Sequence, residues 1–258
     1  MKHISARFSR SCSRRISASY ICIISLAAVL IAFMTSCGAH DDDKEYTGSA
    51  MDRSTLHSDP DSIVIIEQFA ENNACYIENE ALTVKGLMLH SVGASQPSAR
   101  IFARNYNVQY PYGSAICPHA FIQSDGTVYQ ILPWDTVGWH SGGSSNETHI
   151  GIEMCEPDTI TYTGANEFTL DSPEEAKQYV DDTYNRAITL FARLCIEYNL
   201  NPLEDGVIIS HSEGCALGVA SNHGDPEYLW RGVGLPYTMD TFRAAVAVRM
   251  DELNAQAE

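Results

Sequence analysis

The stretch "VIISHSEGCALGVASNHGDPEYLW", residues 207–230, decides how this chain is read. An apolar run stops at His211, a Gly-bearing loop follows, and "HGDP" sets His223 two residues before Asp225. Two histidines, an aspartate and Cys215 in and just after one loop point to a zinc site. Catalytic zinc takes three protein ligands from N, O or S donors and keeps a fourth position open. A further ligand and a proton-transferring group must come from elsewhere in the chain.

Working outward, "KGLMLH" (85–90) reads as a buried strand closed by His90, and "GVIIS" (206–210) as the strand that leads into His211. "HIGIEM" (149–154) is a third strand and carries Glu153. A strand end holds the backbone still while the side chain reaches the rim, which suits a metal site. Along a strand, alternation sends Ile150 and Ile152 to one face and Glu153 to the other. Each candidate has a structural alternative. His90 and His211 could be hydrogen-bonded rim residues, Asp225 a turn residue before Pro226, and Glu153 the partner of an arginine. Cys215 is a rival ligand if its segment is helical, a reading weakened by Gly214 and Gly218.

The other segments complete an alternation of strands and helices. "SQPSARIFARNYN" (95–107) is expected to be a helix capped by Ser95, with Ile101 and Phe102 on one side. "SDG" (124–126) joins two strands of a hairpin. Residues 172–200 form the clearest helix: Ser172 as cap, Pro173 at the first position, Glu175 completing a capping box. Its buried stripe is Val180, Tyr184, Ala187, Ile188, Phe191, Leu194, Cys195 and Tyr198. A last helix spans 238–255. The pattern predicts an α/β fold, a central mixed sheet flanked by helices, in one domain over 61–258.

The N-terminus has basic residues from Lys2 to Arg15, no charge from Ile16 to Ala39, and an apolar centre over 20–34. That is the pattern of a secretory signal over 1–36, with an uncleaved membrane anchor as the alternative. "MTSC" (34–37) before Gly38 resembles a bacterial lipobox, which would lipidate Cys37. Residues 37–60 are polar and acidic and read as a tether. The chain is therefore expected to be exported to the cell envelope, anchored at Cys37 or secreted. Its formal net charge is −17, and removing the basic signal leaves it more acidic still. Such a chain is repelled by nucleic acid and anionic lipid. Cys75, Cys117, Cys155, Cys195 and Cys215 are too scattered for a dense disulfide framework, though export would permit one or two bridges.

Taken together, "GLMLHSVG", "PHAFIQSDGTVYQILPWDTVGWHSG", "HIGIEMCEPD" and "ISHSEGCALGVASNHGDP" resemble the zinc-dependent N-acetylmuramoyl-L-alanine amidases. These are the amidases related to peptidoglycan recognition proteins and phage lysozyme-amidases. The likeness runs from about residue 84 to residue 230. It implies zinc held by His90, His211 and Asp225, with Glu153 of the "IGIE" strand as catalytic acid/base. It places His223 where many members have an oxyanion-stabilising lysine. It also implies that His119, Trp139 and His140 line the substrate groove. Some members have a tyrosine where this chain has Pro118, so the glutamate-dependent form of the site is implied. The expected substrate is peptidoglycan, cut between N-acetylmuramic acid and L-Ala. A non-catalytic peptidoglycan-binding protein and a zinc amidohydrolase with another substrate are the alternatives.

Overall fold

The computed structural model describes residues 62–109 and 116–257. The expected signal, the tether and Cys37 lie outside the described residues. Eight strands are found among those residues: β1 (Val64–Glu67), β2 (Gly86–Ser91), β3 (Ala120–Ile122), β4 (Thr127–Gln130), β5 (His149–Met154), β6 (Ile160–Gly164), β7 (Glu167–Leu170) and β8 (Ile208–Ser210). Six of them form one sheet in the order β1-β4-β3-β5-β2-β8, while β6 and β7 pair separately. Within the large sheet β3 and β4 run antiparallel and the other pairings are parallel, so the sheet is mixed, as expected. The helices are α1 (Ala74–Glu78), α2 (Ala99–Tyr106), α3 (Pro173–Glu197), α4 (His211–Ala216), α5 (Glu227–Gly232) and α6 (Met239–Ala257). No helix among the described residues is long and apolar enough to cross a membrane.

The central strands are apolar because both faces are covered. On one face Leu87, Leu89, Ile150 and Ile152 join Val180, Ala187, Phe191 and Leu194 of α3 and Phe242 and Val246 of α6 in a single core cluster. Each large apolar side chain sealed there contributes roughly 1.5–3 kcal/mol. The other face carries a smaller cluster, in which Phe121 and Ile131 meet Ala99, Phe102 and Ala103 of α2. The expected stripe of the long helix is buried from Val180 to Cys195, and Tyr198 is half-buried.

Local details depart from expectation. Pro173 does open α3, but the Ser172 side chain makes no capping bond, so the expected box is not formed. The box that does form is Ser210 with Glu213, at the start of α4. Ser95 caps nothing. Its hydroxyl donates to the carbonyls of Pro157 and Ile160, and α2 begins at Ala99. Phe102 turns inward while Ile101 faces out. Among the described residues, Cys117, Cys155, Cys195 and Cys215 are not in disulfides.

Beyond the sheet's C-terminal edge, the wholly buried Glu156 ties three segments together. It accepts hydrogen bonds from Gly93 N–H (2.9 Å), Tyr162 Oη (2.5 Å) and Tyr228 Oη (3.1 Å). Burial outweighs these donors and pushes its pKa up to about 7. Between the unfolded value of about 4.3 and this raised value, the folded chain holds a proton that the unfolded chain has lost. Glu156 therefore lowers stability as pH climbs through that window. Glu156→Gln should gain stability relative to the wild type as pH rises from about 5 to about 7, read from urea unfolding at a series of pH values. An unchanged difference would show that Glu156 does not titrate there.

Candidate metal centre and active site

Strands β2 and β8 are parallel neighbours, with Leu87 opposite Ile208 and Leu89 opposite Ser210. Their C-terminal ends therefore bring His90 and His211 together. His211 is the first residue of α4, and the capping box holds that turn: Ser210 Oγ accepts from Glu213 N–H at 3.0 Å, and the Glu213 carboxylate accepts from Ser210 N–H at 3.2 Å. Asp225 is carried back to the same point, where its carbonyl accepts from Ser212 N–H at 3.2 Å. On the other flank, His90 stands in register with Glu153 of β5.

The three expected ligands meet. His90 Nδ1 lies 3.2 Å from Asp225 Oδ2 and 3.1 Å from His211 Nδ1, and His211 Nδ1 lies 3.6 Å from Asp225 Oδ1. Their outward nitrogens define the protons. His140 Nε2–H donates to the carbonyl of His149 at 3.0 Å, which leaves His140 Nδ1 to accept from His90 Nε2–H at 2.9 Å. Ser221 Oγ donates to the carbonyl of Ser141 at 3.0 Å and so accepts from His211 Nε2–H at 3.1 Å. In the neutral imidazoles both Nδ1 atoms are then left with lone pairs, aimed at each other and at a carboxylate.

Such a cluster calls for a cation. A tetrahedral ion with bonds of about 2.0–2.1 Å sets its ligand atoms about 3.3 Å apart, close to the separations seen here. The donors, two imidazoles and one carboxylate, suit zinc. Burial opposes charge on His90, but Glu153 and Asp225 outweigh it and its pKa stands above the ordinary value. Burial, aided by His90, pulls His211 down to about 4. Burial would raise Asp225, but the bond and charge from His90 outweigh it and the carboxyl stays below its usual range. The residues fit the metal.

Glu153 is poised beside this cluster. Its Oε2 is sealed from solvent without a hydrogen-bond partner, and burial lifts its pKa to about 7, with His90 opposing. His223 is exposed, its ring centre 4.7 Å from that of His211. Trp139 is exposed at the surface next to His140.

His119 and His140 differ from their expected place in the groove. His119 is wholly buried between Gly151 N–H, which donates to its Nδ1 at 3.0 Å, and the carbonyl of Thr136, which accepts from its Nε2 at 2.8 Å. Burial takes its pKa down to about 4. His140 is only 7% exposed. Both rings are buried against Gly151: its N–H donates to His119, and a Cβ there would meet the His140 ring. Cys215 does stand one helical turn after His211, yet its thiol points to Asn222 Oδ1 at 3.7 Å and is no part of the cluster. Ser221, Ser141 and Asn146, which hold the histidines from outside, carried no sequence signal.

Residues 80–228, more than half of the chain, match the N-acetylmuramoyl-L-alanine amidase family. The chain belongs to that family. It is 37% identical over 68 residues to the 1,6-anhydro-N-acetylmuramyl-L-alanine amidase AmpD of Citrobacter freundii, a match covering 22% of this chain and 36% of that protein. It is also 37% identical over 57 residues to AmpD of Escherichia coli, covering 19% and 31%. The chain thus spans about a third of the length of the curated relatives it matches. The fold is similar to that of Staphylococcus aureus hydrolase AmiA, solved in complex with its ligand, at TM-score 0.54 and 16% identity over 73% of this chain and 84% of that one. The PlyG catalytic domain gives TM-score 0.50 and 14% identity over 73% and 96%. This amidase-family chain therefore has the fold that its motifs implied.

His90→Ala and His211→Ala should each abolish stoichiometric binding of a divalent transition metal, measured by elemental analysis after dialysis. Cys215→Ala should keep it. Full metal content in either histidine variant would remove that residue from the ligand set.

Proposed function

We propose that the chain is a zinc-dependent peptidoglycan hydrolase. It cuts the amide between the lactyl group of N-acetylmuramic acid and the L-Ala of the stem peptide. The observation that carries this reading is the orphaned Glu153 oxygen beside three converging lone pairs, in a chain of the amidase family.

His90, His211 and Asp225 would hold the ion. When bound, zinc supplies a water of lowered pKa and polarises the scissile carbonyl. Glu153 takes a proton from the attacking water on Oε2 and returns it to the departing L-Ala nitrogen. A carboxylate whose pKa is near 7 can do both at neutral pH. His223, at the exposed rim, donates a hydrogen bond to the carbonyl oxygen as charge gathers there. Trp139 gives the glycan an apolar surface. Export would place the chain beside its substrate, with Cys37 as the lipid anchor.

Glu153→Gln keeps the shape but cannot carry the proton. Release of L-Ala amino termini from purified peptidoglycan should fall by about 10²–10⁴-fold, with metal content nearly unchanged and melting temperature not lowered. A stable, metal-loaded and fully active Gln variant would remove Glu153 from the mechanism. A wild type that binds wall fragments without releasing amino termini would favour the binding-protein alternative.

For the anchor, expression in a bacterial host should yield membrane-associated protein with acyl mass on Cys37. Soluble protein with an unmodified N-terminus elsewhere would contradict lipidation.

A further inference from the structure

We propose that the turn from His140 to Asn146 is a tautomer lock for the metal site. It holds both ligand histidines as Nε2–H imidazoles, so that both Nδ1 lone pairs face the ion. His140 and Ser221 are thus positioning residues that act through His90 and His211. The inference rests on the metal reading above and adds to it what sets the ligands' protons.

A neutral imidazole without partners divides its proton between two nitrogens. A proton on Nδ1 here would occupy the position an ion must take. The outer partners oppose that form on both histidines, against the pull of Asp225 on His90 Nδ1. The His90 chain runs from His90 Nε2–H to His140 Nδ1 and from His140 Nε2–H to the carbonyl of His149. The His211 chain runs from its Nε2–H to Ser221 Oγ and on to the carbonyl of Ser141. The two chains pass through adjacent residues, His140 and Ser141.

One side chain holds that pair. Asn146 Oδ1 accepts from His140 N–H at 3.0 Å, Ser141 N–H at 2.8 Å and Ser141 Oγ at 2.9 Å. Strand β5 makes room for the arrangement. A Cβ on Gly151 would stand 2.3 Å from His140 Cγ, so only glycine lets the ring lie flat over the strand. His140 is thus built into the structure behind His90 rather than offered to a substrate. Outer-shell partners of this kind fix the tautomer and orientation of metal-binding histidines.

The test uses the full chain as wild type, His140→Phe, His140→Asn and Ser221→Ala. Two quantities are read: zinc affinity against a competing chelator, and the ring tautomers of His90 and His211 in metal-free protein by long-range proton–nitrogen NMR. His140→Phe keeps a ring but removes the acceptor. It should weaken zinc by about 10–100-fold and move the His90 proton toward Nδ1. Asn can place its amide oxygen where Nδ1 was, and should recover most of the affinity. Ser221→Ala should weaken zinc and alter the tautomer of His211 alone, and it serves if the Phe variant does not fold. The lock is overturned if His140→Phe and Ser221→Ala bind zinc like wild type with unchanged tautomers, or if Asn is no better than Phe. A raised KM with unchanged zinc affinity would return His140 to the groove. If wild type binds no zinc, the metal reading fails, while the NMR arm still decides whether these partners set the tautomers.

Discussion

Two imidazole nitrogens and the Asp225 carboxylate lie 3.1–3.6 Å apart in a buried pocket, and only a shared cation or proton keeps them from repelling one another. In a low dielectric, uncompensated polar groups of this kind are costly. They stay together because the surrounding fold leaves them nowhere else to go. Parallel pairing of β2 and β8 sets the two histidines at neighbouring strand ends. The Ser210–Glu213 box fixes the turn that aims His211. The Asp225 carbonyl is bonded to the same helix start. A scaffold that holds these groups together favours whatever cation or proton they can share.

The sheet divides rigidity from chemistry by the alternation of its strands. In β5, Ile150 and Ile152 enter the main core, while Gly151 and Glu153 look the other way. Glycine within a strand weakens it. Here that weakness makes room for the His140 ring and, through it, for the orientation of His90. Glu153 stands next to His90 by register, so the proposed proton carrier and the first proposed ligand are set by one ladder of backbone hydrogen bonds. In the proposed mechanism, the carboxylate's missing partner is the local cost of keeping an oxygen ready for a proton.

Much of this was legible in the chain. Apolar runs ending on His90 and His211 marked strand ends, and the alternation in "HIGIEM" oriented Glu153 correctly. Period-3.6 patterning found the long helix and its stripe because so many buried positions repeat. Local polar signals were less faithful. Ser172 and Glu175 had the spacing of a capping box that tertiary packing left unformed, whereas Ser210 and Glu213 formed one beside the site. The short strands β1, β6 and β7 are held by pairing rather than by a strong pattern of their own. The resemblance placed His119 and His140 in the groove, but motif likeness does not give a side chain's depth, and both are buried. Their partners, and those of His211, depend on the folded juxtaposition of separate strands and turns that no local spacing discloses.

The central claim is that His90 Nδ1, His211 Nδ1 and a carboxylate oxygen of Asp225 converge on one metal position beside Glu153. Diffraction from crystals of the zinc-loaded protein, recorded on both sides of the zinc absorption edge, tests it most directly. A single anomalous peak about 2.0–2.2 Å from those three atoms, with Glu153 as the nearest other carboxylate, is the predicted result. A peak bound through either Nε2 or through Cys215, or no peak between the two histidines, would contradict it.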